Sequence, residues 1–513
     1  MAKKYVIGLD SGTSVVKAVL FDLEGTEIAT AARTTPVEEL HFGWSEFDID
    51  IEWREISQAF KDLLAKTGIS PDEIGAIGIC AKHGSCFLDE NHHPVRLGIL
   101  WNDGRCAKDL EEWDAAGKLD ATFAETSNWL MTSDRNFLLP WLRRNEPGLL
   151  EKVTTVCSPA NWVSVNLTGN FGANASDFYA QVDDTGQIST KVLQIAEIED
   201  LMDKFPEIGE PSRIIGTVTE RAAEQCGLVA GIPVAEIGWD AMSSTAGGGA
   251  TEPGQANIIL GTSGCILVVT PRFVREPKLG IMSVHNVPGH WVQFIAPLTG
   301  TPNSDWFNDT FTYEDKVRAE KEGRSLYALF DEEMSGVPAG CNGVVYHPYM
   351  SAAGERAPFT NTNARGNFFG LNLHSDRNVL HRAVYEGMAF SNKHCLDAYT
   401  FPVKDVCLTG GGTNSPVWCQ IFADVLDVPI KLMSGTEYGA KGAAWNAAWA
   451  AGIFPTHQAA RDAFCRVDRV YTPIPENVAV YKDLYEVYKE IPYALFPAWK
   501  KRSEFLEKHG FEG

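Results

Sequence analysis

Apolar runs of strand length alternate with short polar turns at the start of the chain. Tyr5 to Leu9 and Val15 to Phe21 are apolar and rich in β-branched residues, and Ser11 to Ser14 lie between them. Two such runs joined by a polar turn that contains glycine predict a β-hairpin. A third run from Thr26 to Thr34 extends the prediction to an antiparallel meander of three strands.

The spacing of apolar residues then changes to that of a helix. Between Asp50 and Lys66 they recur every three or four positions, which predicts a helix that ends near Gly68. The uninterrupted apolar run from Ile74 to Cys80 predicts a buried strand. Ligands bind at the carboxyl ends of strands in open α/β sheets, so the polar segment that begins at Lys82 is a candidate binding segment.

The turn of the first hairpin has the chemistry of an anion site. Gly12 lets a ligand approach the backbone, and Thr13 and Ser14 offer hydroxyl and N–H groups to a phosphate. Asp10 precedes the turn and is suited to hold Mg²⁺ through water, because Mg²⁺ keeps most of its hydration shell. The alternative, an ordinary hairpin with a polar turn, is equally compatible with this stretch alone.

A second copy of this pattern favours the phosphate interpretation. Asn257 to Thr270 is again a strand, a Gly261-Thr262-Ser263 turn and a strand, and about half of the 513-residue chain separates Thr13 from Thr262. Repetition at this distance indicates two related halves, each with one phosphate loop. Two loops that face each other would clamp the triphosphate of a nucleotide.

Asp240 follows an apolar strand and precedes a segment of small residues that predicts a helix. An aspartate at this place is a candidate catalytic carboxylate, but the commoner role is a helix N-cap. Glycines and Pro253 cluster between Gly249 and Gly254, just before the second hairpin, and indicate a domain boundary there.

Two further segments combine strand ends with polar or small residues. Gly410 to Gly412 follow a strand and precede an amphipathic helix, as expected where backbone approaches a ligand at a helix N-terminus. Asn102 and Asp103 follow the strand that begins at Ile99, although Asn-Asp-Gly on its own is more often a simple turn.

Composition excludes several classes of partner. The net charge of −23, from 44 Lys+Arg and 67 Asp+Glu, argues against nucleic acid and anionic membrane surfaces. A phosphorylated ligand must then be held by Mg²⁺, backbone N–H groups and a few local cations. No apolar run is long enough to span a bilayer, and the 11 cysteines lack paired spacing, so we expect a soluble cytoplasmic protein with reduced thiols.

Several motifs in the same order resemble those of the FGGY family of carbohydrate kinases, which phosphorylate sugars and polyols with ATP. The resemblance extends from about Tyr5 to about Ile491 and includes the two hairpins, the glycine run and the context of Asp240. Gly366 to Leu371 and Arg382 to Gly387 resemble a further family pattern. The resemblance implies an α/β protein with two domains of the actin/Hsp70-like, ribonuclease H-like ATPase fold and an active site between them.

The resemblance also implies domain boundaries and ligands. Residues 1–249 would be the sugar-binding domain, 250–495 the nucleotide-binding domain and 496–513 a C-terminal tail. ATP and Mg²⁺ would be the cofactors, and a small sugar or polyol, most simply a pentulose or short polyol, would be the acceptor. The choice between a monomer and a homodimer stays open.

Residue by residue, the resemblance assigns Asp240 as the general base that accepts the hydroxyl proton, and Asp10 as the residue that orients Mg²⁺. The residues assigned to the nucleotide are Gly12, Thr13, Ser14, Lys17, Gly261, Thr262, Ser263, Gly410, Gly411, Gly412, Asn414 and Ser415. The residues assigned to the sugar are Lys82, His83, Asn102, Asp103 and Asp240.

The sequence departs from the family pattern in its sugar-binding half, and Lys82 is the most important departure. Lys82 stands where xylulokinases carry methionine. A buried cation needs a partner, so Lys82 would pair with Asp103 or Asp240 or contact the substrate, unless it points into solvent. Leu138 and Asn161 also replace the lysine and aspartate expected in the first family pattern.

Two other functions use the same fold. One is an actin- or Hsp70-like ATPase that acts as a chaperone or filament, and the other is a catalytically silent sugar-binding regulator. The retention of Asp10, Thr13, Asp240 and Thr262 argues against loss of catalysis, and no segment of the sequence indicates a peptide-binding extension.

Overall fold

The structure is a computed structural model that describes residues 3–261 and 264–511. The chain divides into two compact units. Unit 1 comprises Met1–Pro253, Val269–Gln293 and Ser434–Arg466, and unit 2 comprises Gly254–Val268, Phe294–Met433 and Val467–Gly513.

The strands of the described chain are, in order, β1 (Tyr5–Ser11), β2 (Val15–Asp22), β3 (Glu27–Thr34), β4 (Glu46–Phe47), β5 (Ile74–Ala81), β6 (Gly84–Leu88), β7 (Gly98–Leu100), β8 (Thr155–Cys157), β9 (Ala173–Asn174), β10 (Ile208–Gly209), β11 (Arg213–Thr217), β12 (Pro233–Trp239), β13 (Gln255–Leu260), β14 (Gly264–Thr270), β15 (Ile281–Val284), β16 (Trp291–Ile295), β17 (Val345–His347), β18 (Asn367–Phe369), β19 (Asp405–Gly410), β20 (Ile430–Met433) and β21 (Val467–Tyr471).

The α-helices are α1 (Ile49–Thr67), α2 (Ala107–Ala115), α3 (Lys118–Thr126), α4 (Arg135–Asn145), α5 (Leu149–Lys152), α6 (Pro159–Thr168), α7 (Thr190–Ile195), α8 (Glu220–Cys226), α9 (Asp240–Gly247), α10 (Pro302–Phe311), α11 (Tyr313–Glu322), α12 (Leu326–Ser335), α13 (Arg377–Leu396), α14 (Pro416–Leu426), α15 (Tyr438–Ala450), α16 (His457–Phe464) and α17 (Pro475–His509).

Unit 1 is built on a six-stranded sheet of order β11-β12-β5-β1-β2-β3. β1, β2 and β3 form the predicted antiparallel meander, while β1, β5 and β12 run parallel. One face packs its apolar side chains against α1, α6 and α8, and the other packs against α15 and α16. The sheet is therefore covered on both faces, as parallel strands require.

Helix α15 lies directly on the backbone of this sheet. A Cβ atom at Gly8 would fall 1.8 Å from the carbonyl oxygen of Ala440, and one at Gly78 would fall 2.0 Å from that of Ala443. Only glycine on the strands and small residues on the helix permit so close an approach. The small residues of α15 thus allow close packing, and its first turn is brought to the carboxyl end of β1.

Unit 2 contains the second hairpin. Five strands follow the order β14-β13-β19-β20-β21, with β13 and β14 antiparallel and β13 parallel to β19. Thr262 and Ser263, on which the predicted second phosphate loop depends, lie outside the described residues. The predicted boundary after residue 495 falls inside α17, which continues to His509.

Local predictions agree with the elements to within a few residues. The predicted helix between Asp50 and Lys66 is α1, and Gly68 ends it in the left-handed conformation with φ 67°. Between α1 and β5 the chain forms only a short 3₁₀ turn, Pro71–Glu73, without a side-chain cap. Within the described chain, no helix combines the length and apolar character needed to cross a membrane.

Candidate active site

Three parallel strands of unit 1 end side by side. Asp10 on β1 is level with Cys80 on β5, and Cys80 is level with Gly238 on β12. Because the strands are parallel, the residues that follow them share one edge of the sheet. Lys82 and Asp240, distant in sequence, therefore lie at the same edge as Asp10.

Asp10 and Asp240 carry perturbed carboxyl groups. Burial, and then the negative charge of Asp10, raise the pKa of Asp240 to about 8. Burial also raises the pKa of Asp10 to about 6, although the charge of Lys17 opposes that rise. Within the described chain neither aspartate forms an ion pair. Uncompensated carboxylates at a strand edge are typical of a functional site.

The side chain of Asp240 does not occupy the cap position of α9. Asp240 is the first residue of that helix, and Trp239 occupies the N-cap without a side-chain hydrogen bond. The backbone N–H of Ala241 interacts with the Asp240 carboxylate and lowers its pKa, which partly offsets the effect of burial. Helix capping therefore does not account for this carboxylate.

The turn between β1 and β2 leaves backbone donors available. The N–H of Gly12 donates to the carbonyl oxygen of Val15 at 3.0 Å, and the Thr13 hydroxyl accepts from Nε1 of Trp101 at 3.1 Å. Among the described residues, the backbone N–H groups of Thr13 and Ser14 have no protein acceptor. Consecutive free N–H groups in a turn are what an anion site requires.

Lys17 and Asp10 both meet the first turn of α15. Nζ of Lys17 lies 2.8 Å from Glu437, the residue before the helix. A Cβ atom at Gly439 would fall 2.3 Å from Oδ2 of Asp10, so the helix backbone lies against this carboxylate. Lys17, predicted to bind nucleotide, is thus paired with a carboxylate within unit 1.

Lys82 pairs with Glu52, which was not among its predicted partners. Its Nζ lies 2.6 Å from Oε1 of Glu52, a residue of α1, and 4.4 Å from the centre of the Phe47 ring. Lys82 and Glu52 are 2% and 1% exposed. The alternative in which Lys82 points into solvent is therefore wrong, and its observed ion-pair partner is neither Asp103 nor Asp240.

Asp103 is also hydrogen-bonded to other protein groups. It is fully buried, and its two carboxylate oxygens accept hydrogen bonds from Arg105 and from the backbone N–H of Ser45. Asn102, its neighbour, is exposed. Of the two residues predicted to bind sugar from this turn, only Asn102 presents its side chain to solvent.

His83 belongs to an aromatic cluster beside Asp240. Its ring centre lies 4.9 Å from that of Tyr179 and 5.8 Å from that of Trp239, and the last two rings are stacked. The Asp134 carboxylate accepts a hydrogen bond from the Tyr179 hydroxyl at 2.8 Å and lies 3.6 Å from Nε2 of His83. Burial lowers the pKa of His83, so the ring is neutral near pH 7.

In unit 2 the glycine run follows β19 directly. Gly411 and Asn414 are exposed, and a Cβ atom at Gly411 would meet nothing within 4 Å. Ser415 has an internal role as the N-cap of α14, since its hydroxyl accepts from the N–H of Trp418 at 3.1 Å and donates to Asp331 at 2.5 Å. Gly410 and Gly412 flank this open turn, and Gly261 is partly buried at the end of β13.

Sequence reasoning missed Glu52, Asp134 and Tyr179. A signal for Glu52 was present, because it falls on the apolar stripe of α1 together with Ile49 and Ile56, where a carboxylate must find a partner. Asp134 and Tyr179 lie in segments without a recognisable motif. Their proximity to His83 depends on tertiary packing alone.

The donors near Asp10 suit Mg²⁺ better than a metal held entirely by protein. The described residues contain no group of three or more histidine, cysteine or acidic side chains that could hold an ion. A metal at Asp10 would therefore complete its coordination with water and phosphate oxygens, as Mg²⁺ commonly does. Burial raises the pKa of Asp10, and a cation bound beside it would favour the charged carboxylate.

Comparison with known families assigns the chain. Residues 5–247 match the N-terminal domain of the FGGY family of carbohydrate kinases, and residues 256–451 match its C-terminal domain. The chain belongs to the FGGY family of carbohydrate kinases. The predicted family and enzyme class are confirmed, and a chaperone or filament ATPase is no longer needed as an explanation.

Relatives match over nearly their whole length. A xylulose kinase of Staphylococcus epidermidis is 27% identical over 501 residues, which is 96% of this chain and 97% of the relative. An autoinducer-2 kinase of Escherichia coli is 28% identical over 506 residues, with 94% and 93% covered. The crystal structure of a xylulose kinase from Rhodospirillum rubrum superposes with a TM-score of 0.85 at 29% identity, covering 97% of this chain and all of the other.

These matches confirm the predicted fold class. The chain has the two-domain α/β fold of the FGGY kinases, which is of the actin/Hsp70 ATPase type. It is a kinase that uses ATP and acts on a sugar or polyol.

Proposed function

We propose that the protein transfers the γ-phosphoryl group of ATP to a hydroxyl of a small sugar or polyol, most simply a pentulose or short polyol, with Asp240 as general base. The observation that carries the proposal is the uncompensated carboxylate of Asp240 at the same sheet edge as the open turn at Thr13 and Ser14. A proton acceptor and a phosphate site at one edge are the two parts that phosphoryl transfer requires.

Asp240 would accept the proton of the attacking hydroxyl as the new P–O bond forms. A general base works best when its pKa lies near the operating pH, and burial places that of Asp240 at about 8. A bound cation near Asp10 would lower this value, because it favours the charged form. The base would then be ionised at neutral pH and still be basic enough to take the proton.

Asp10 would hold Mg²⁺ through water, because Mg²⁺ keeps several of its water ligands when it binds to one or two carboxylates. Bound Mg²⁺ supplies charge neutralisation on the phosphate oxygens. The N–H groups of Thr13 and Ser14 would bind the same phosphates from the protein side. In unit 2, the exposed backbone of Gly411 and the neighbouring Asn414 are proposed to bind the adenosine part of ATP.

The sugar would contact His83 and the rings beside it. Tyr179 and Trp239 are stacked, and aromatic faces favour the C–H surfaces of a small polyhydroxylated molecule. The neutral His83 ring can donate one hydrogen bond and accept another. Xylulose kinases and an autoinducer-2 kinase among the relatives support a five-carbon acceptor.

The test is a screen for ADP formation that depends on the acceptor. D-xylulose, L-xylulose, tetritols, pentitols, hexuloses and autoinducer-2 would each be supplied with ATP and Mg²⁺, and Asp240→Asn would be run in parallel. We expect one or a few five- or four-carbon acceptors to stimulate ADP release in the wild type alone. Equal ATP hydrolysis with and without every acceptor would contradict the proposal.

A further inference from the structure

The pair formed by Lys82 and Glu52 contacts the phosphate turn from its buried side. Nζ of Lys82 lies 3.4 Å from the carbonyl oxygen of Gly12, in addition to its bond of 2.6 Å to Glu52. The Ser11 hydroxyl donates to the same oxygen, Oε1, of Glu52. The backbone N–H of Lys82 donates to the carbonyl oxygen of Ser11 at 2.8 Å.

These bonds restrict the two residues that lead into the turn. Ser11 is held through its hydroxyl and its carbonyl oxygen, and Gly12 is held through its carbonyl oxygen and by its N–H bond to Val15. A peptide carbonyl and the next N–H belong to one plane, so the Gly12 carbonyl sets the direction of the Thr13 N–H. The pair therefore acts on the donors proposed for phosphate without touching a ligand.

Burial makes the arrangement stiff. Lys82 and Glu52 are almost without solvent contact. Glu52 lies on α1 and Lys82 directly follows β5, and both elements belong to the packed layers of unit 1. A buried ion pair with short contacts holds its geometry, since breaking it would leave a charge without a partner.

We infer that Lys82 and Glu52 form a positioning pair for the phosphate turn, and that Lys82 serves nucleotide binding rather than sugar recognition. The inference rests on the proposed function of the turn at Thr13 and Ser14. It replaces the expectation that Lys82 contacts the sugar, because its charge is already satisfied by Glu52, Gly12 and the Phe47 ring.

The test separates nucleotide binding from sugar use. Affinity for the non-hydrolysable analogue AMP-PNP with Mg²⁺ would be measured by calorimetry without sugar, and KM values for ATP and sugar would be measured separately. For Lys82→Met and Glu52→Gln we expect AMP-PNP affinity to fall about 10- to 100-fold, because small displacements of positioning groups have effects of this size. The KM for sugar is expected to stay unchanged, and Lys82→Arg should recover part of the affinity.

A double variant and a matched control complete the design. The double variant Lys82→Met/Glu52→Met should bind AMP-PNP at least as tightly as whichever single variant binds it less tightly. The two losses are not expected to add, because the two residues act as a unit. Arg96→Met removes another ion pair of unit 1, between Arg96 and Glu46 at 2.6 Å, and should leave AMP-PNP affinity intact.

Each opposite result overturns the inference. A raised KM for sugar with unchanged AMP-PNP affinity would assign Lys82 to the substrate, and an equal loss in Arg96→Met would mean general destabilisation. Should Lys82→Met fail to fold, Ser11→Ala removes one bond to Glu52, and unchanged AMP-PNP affinity there would be equally decisive. Because calorimetry needs no sugar, it stays informative even if no acceptor is phosphorylated, the result that would refute the proposed function alone.

Discussion

Among the described residues, carboxyl groups at the strand ends of unit 1 lack ion-pair partners, whereas a buried carboxyl group in the interior of unit 2 is paired and hydrogen-bonded. Asp10 and Asp240 form no ion pair within the described chain. In unit 2, Oε1 of Glu386 accepts from Nε of Arg382 at 2.8 Å and from the Tyr481 hydroxyl at 2.7 Å. A buried charge without a partner lowers stability unless a bound ligand neutralises it. A charge that is already paired within the protein needs no ligand.

The second region therefore has a structural role. Arg382 and Glu386 lie one turn apart on α13, and Tyr481 belongs to α17, so the network ties the two helices together. The N–H of Gly340 also donates to Glu386 at 3.2 Å. A family motif in the sequence can thus mark a buried structural contact instead of a catalytic one. Variants in the two regions should separate activity from stability.

Asp240→Asn should show the largest effect. The amide keeps the shape of the side chain but cannot accept a proton, so kcat is expected to fall about 10²- to 10⁴-fold. The denaturant midpoint and the affinity for AMP-PNP should be retained. Steady-state kinetics with saturating acceptor is the measurement, and a variant that keeps more than about a third of the activity would assign the base to another group.

Arg382→Met should have the opposite profile. Removal of the cation leaves Glu386 buried without its partner, which is expected to lower the free energy of unfolding by about 3–5 kcal/mol. The folded fraction should keep its kcat, because the network lies within unit 2 and binds no proposed ligand. Urea denaturation combined with activity per folded molecule measures both quantities. An Arg382→Met variant that is stable but inactive would contradict the structural role given to this network.

Tyr481→Phe is a smaller change in the same network, because it removes one hydroxyl and no charge. The hydroxyl donates to Glu386 and accepts from Arg382 at 3.1 Å, and its loss leaves both groups underbonded. We expect a loss of about 1–3 kcal/mol in stability and faster hydrogen exchange at the α17 amides. The exchange of α1 amides in unit 1 is the internal control. Equal acceleration in both helices would show that the effect is not local.

Glu236→Gln should give the smallest effect and a gain in stability. Burial, and then the charge of Asp177, raise the pKa of Glu236 well above its ordinary value. The unfolded chain loses this proton near pH 4.3 while the folded chain retains it, so wild-type stability falls as the pH rises above that value. Glutamine does not titrate, so the gain in stability of the variant over wild type should grow as the pH rises from 5 to 8, by at least about 1 kcal/mol.

Denaturant midpoints at pH 5 and pH 8 measure this difference. The exposed residue Glu224 offers a control, since Glu224→Gln changes the same side chain outside the core and should leave the profile as in wild type. A gain at pH 5 that equals the gain at pH 8 would show that titration of Glu236 is not the cause.

Much of the site could be predicted because it depends on local order along the chain. The strand, turn and strand from Tyr5 to Phe21 form β1 and β2, and the residues that follow β5 and β12 meet because parallel strands share an edge. These features follow from side-chain periodicity and from the direction of the strands. The roles of Asp10, Thr13 and Asp240 remain predictions on this basis.

The grouping of α15 with unit 1 could not be predicted from position in the chain. Ser434–Arg466 follows most of unit 2 in sequence, yet α15 lies on β1 and β5 through Gly8 and Gly78. Glycine in a strand indicates close approach of another backbone but does not say which one. Only the packed structure identifies the partner.

Taken alone, the sequence determined the α/β class, the family, and the strand ends where Asp10, Lys82 and Asp240 lie, because periodicity and motif order are local properties of the chain. The tertiary structure decided which charges meet. It pairs Lys82 with Glu52 and not with Asp103, and it encloses Asp103 with Arg105. The partner of a buried charge depends on which helix packs over which strand. Lys82 and Glu52 are 30 positions apart, and no local pattern in the sequence indicates that they are in contact.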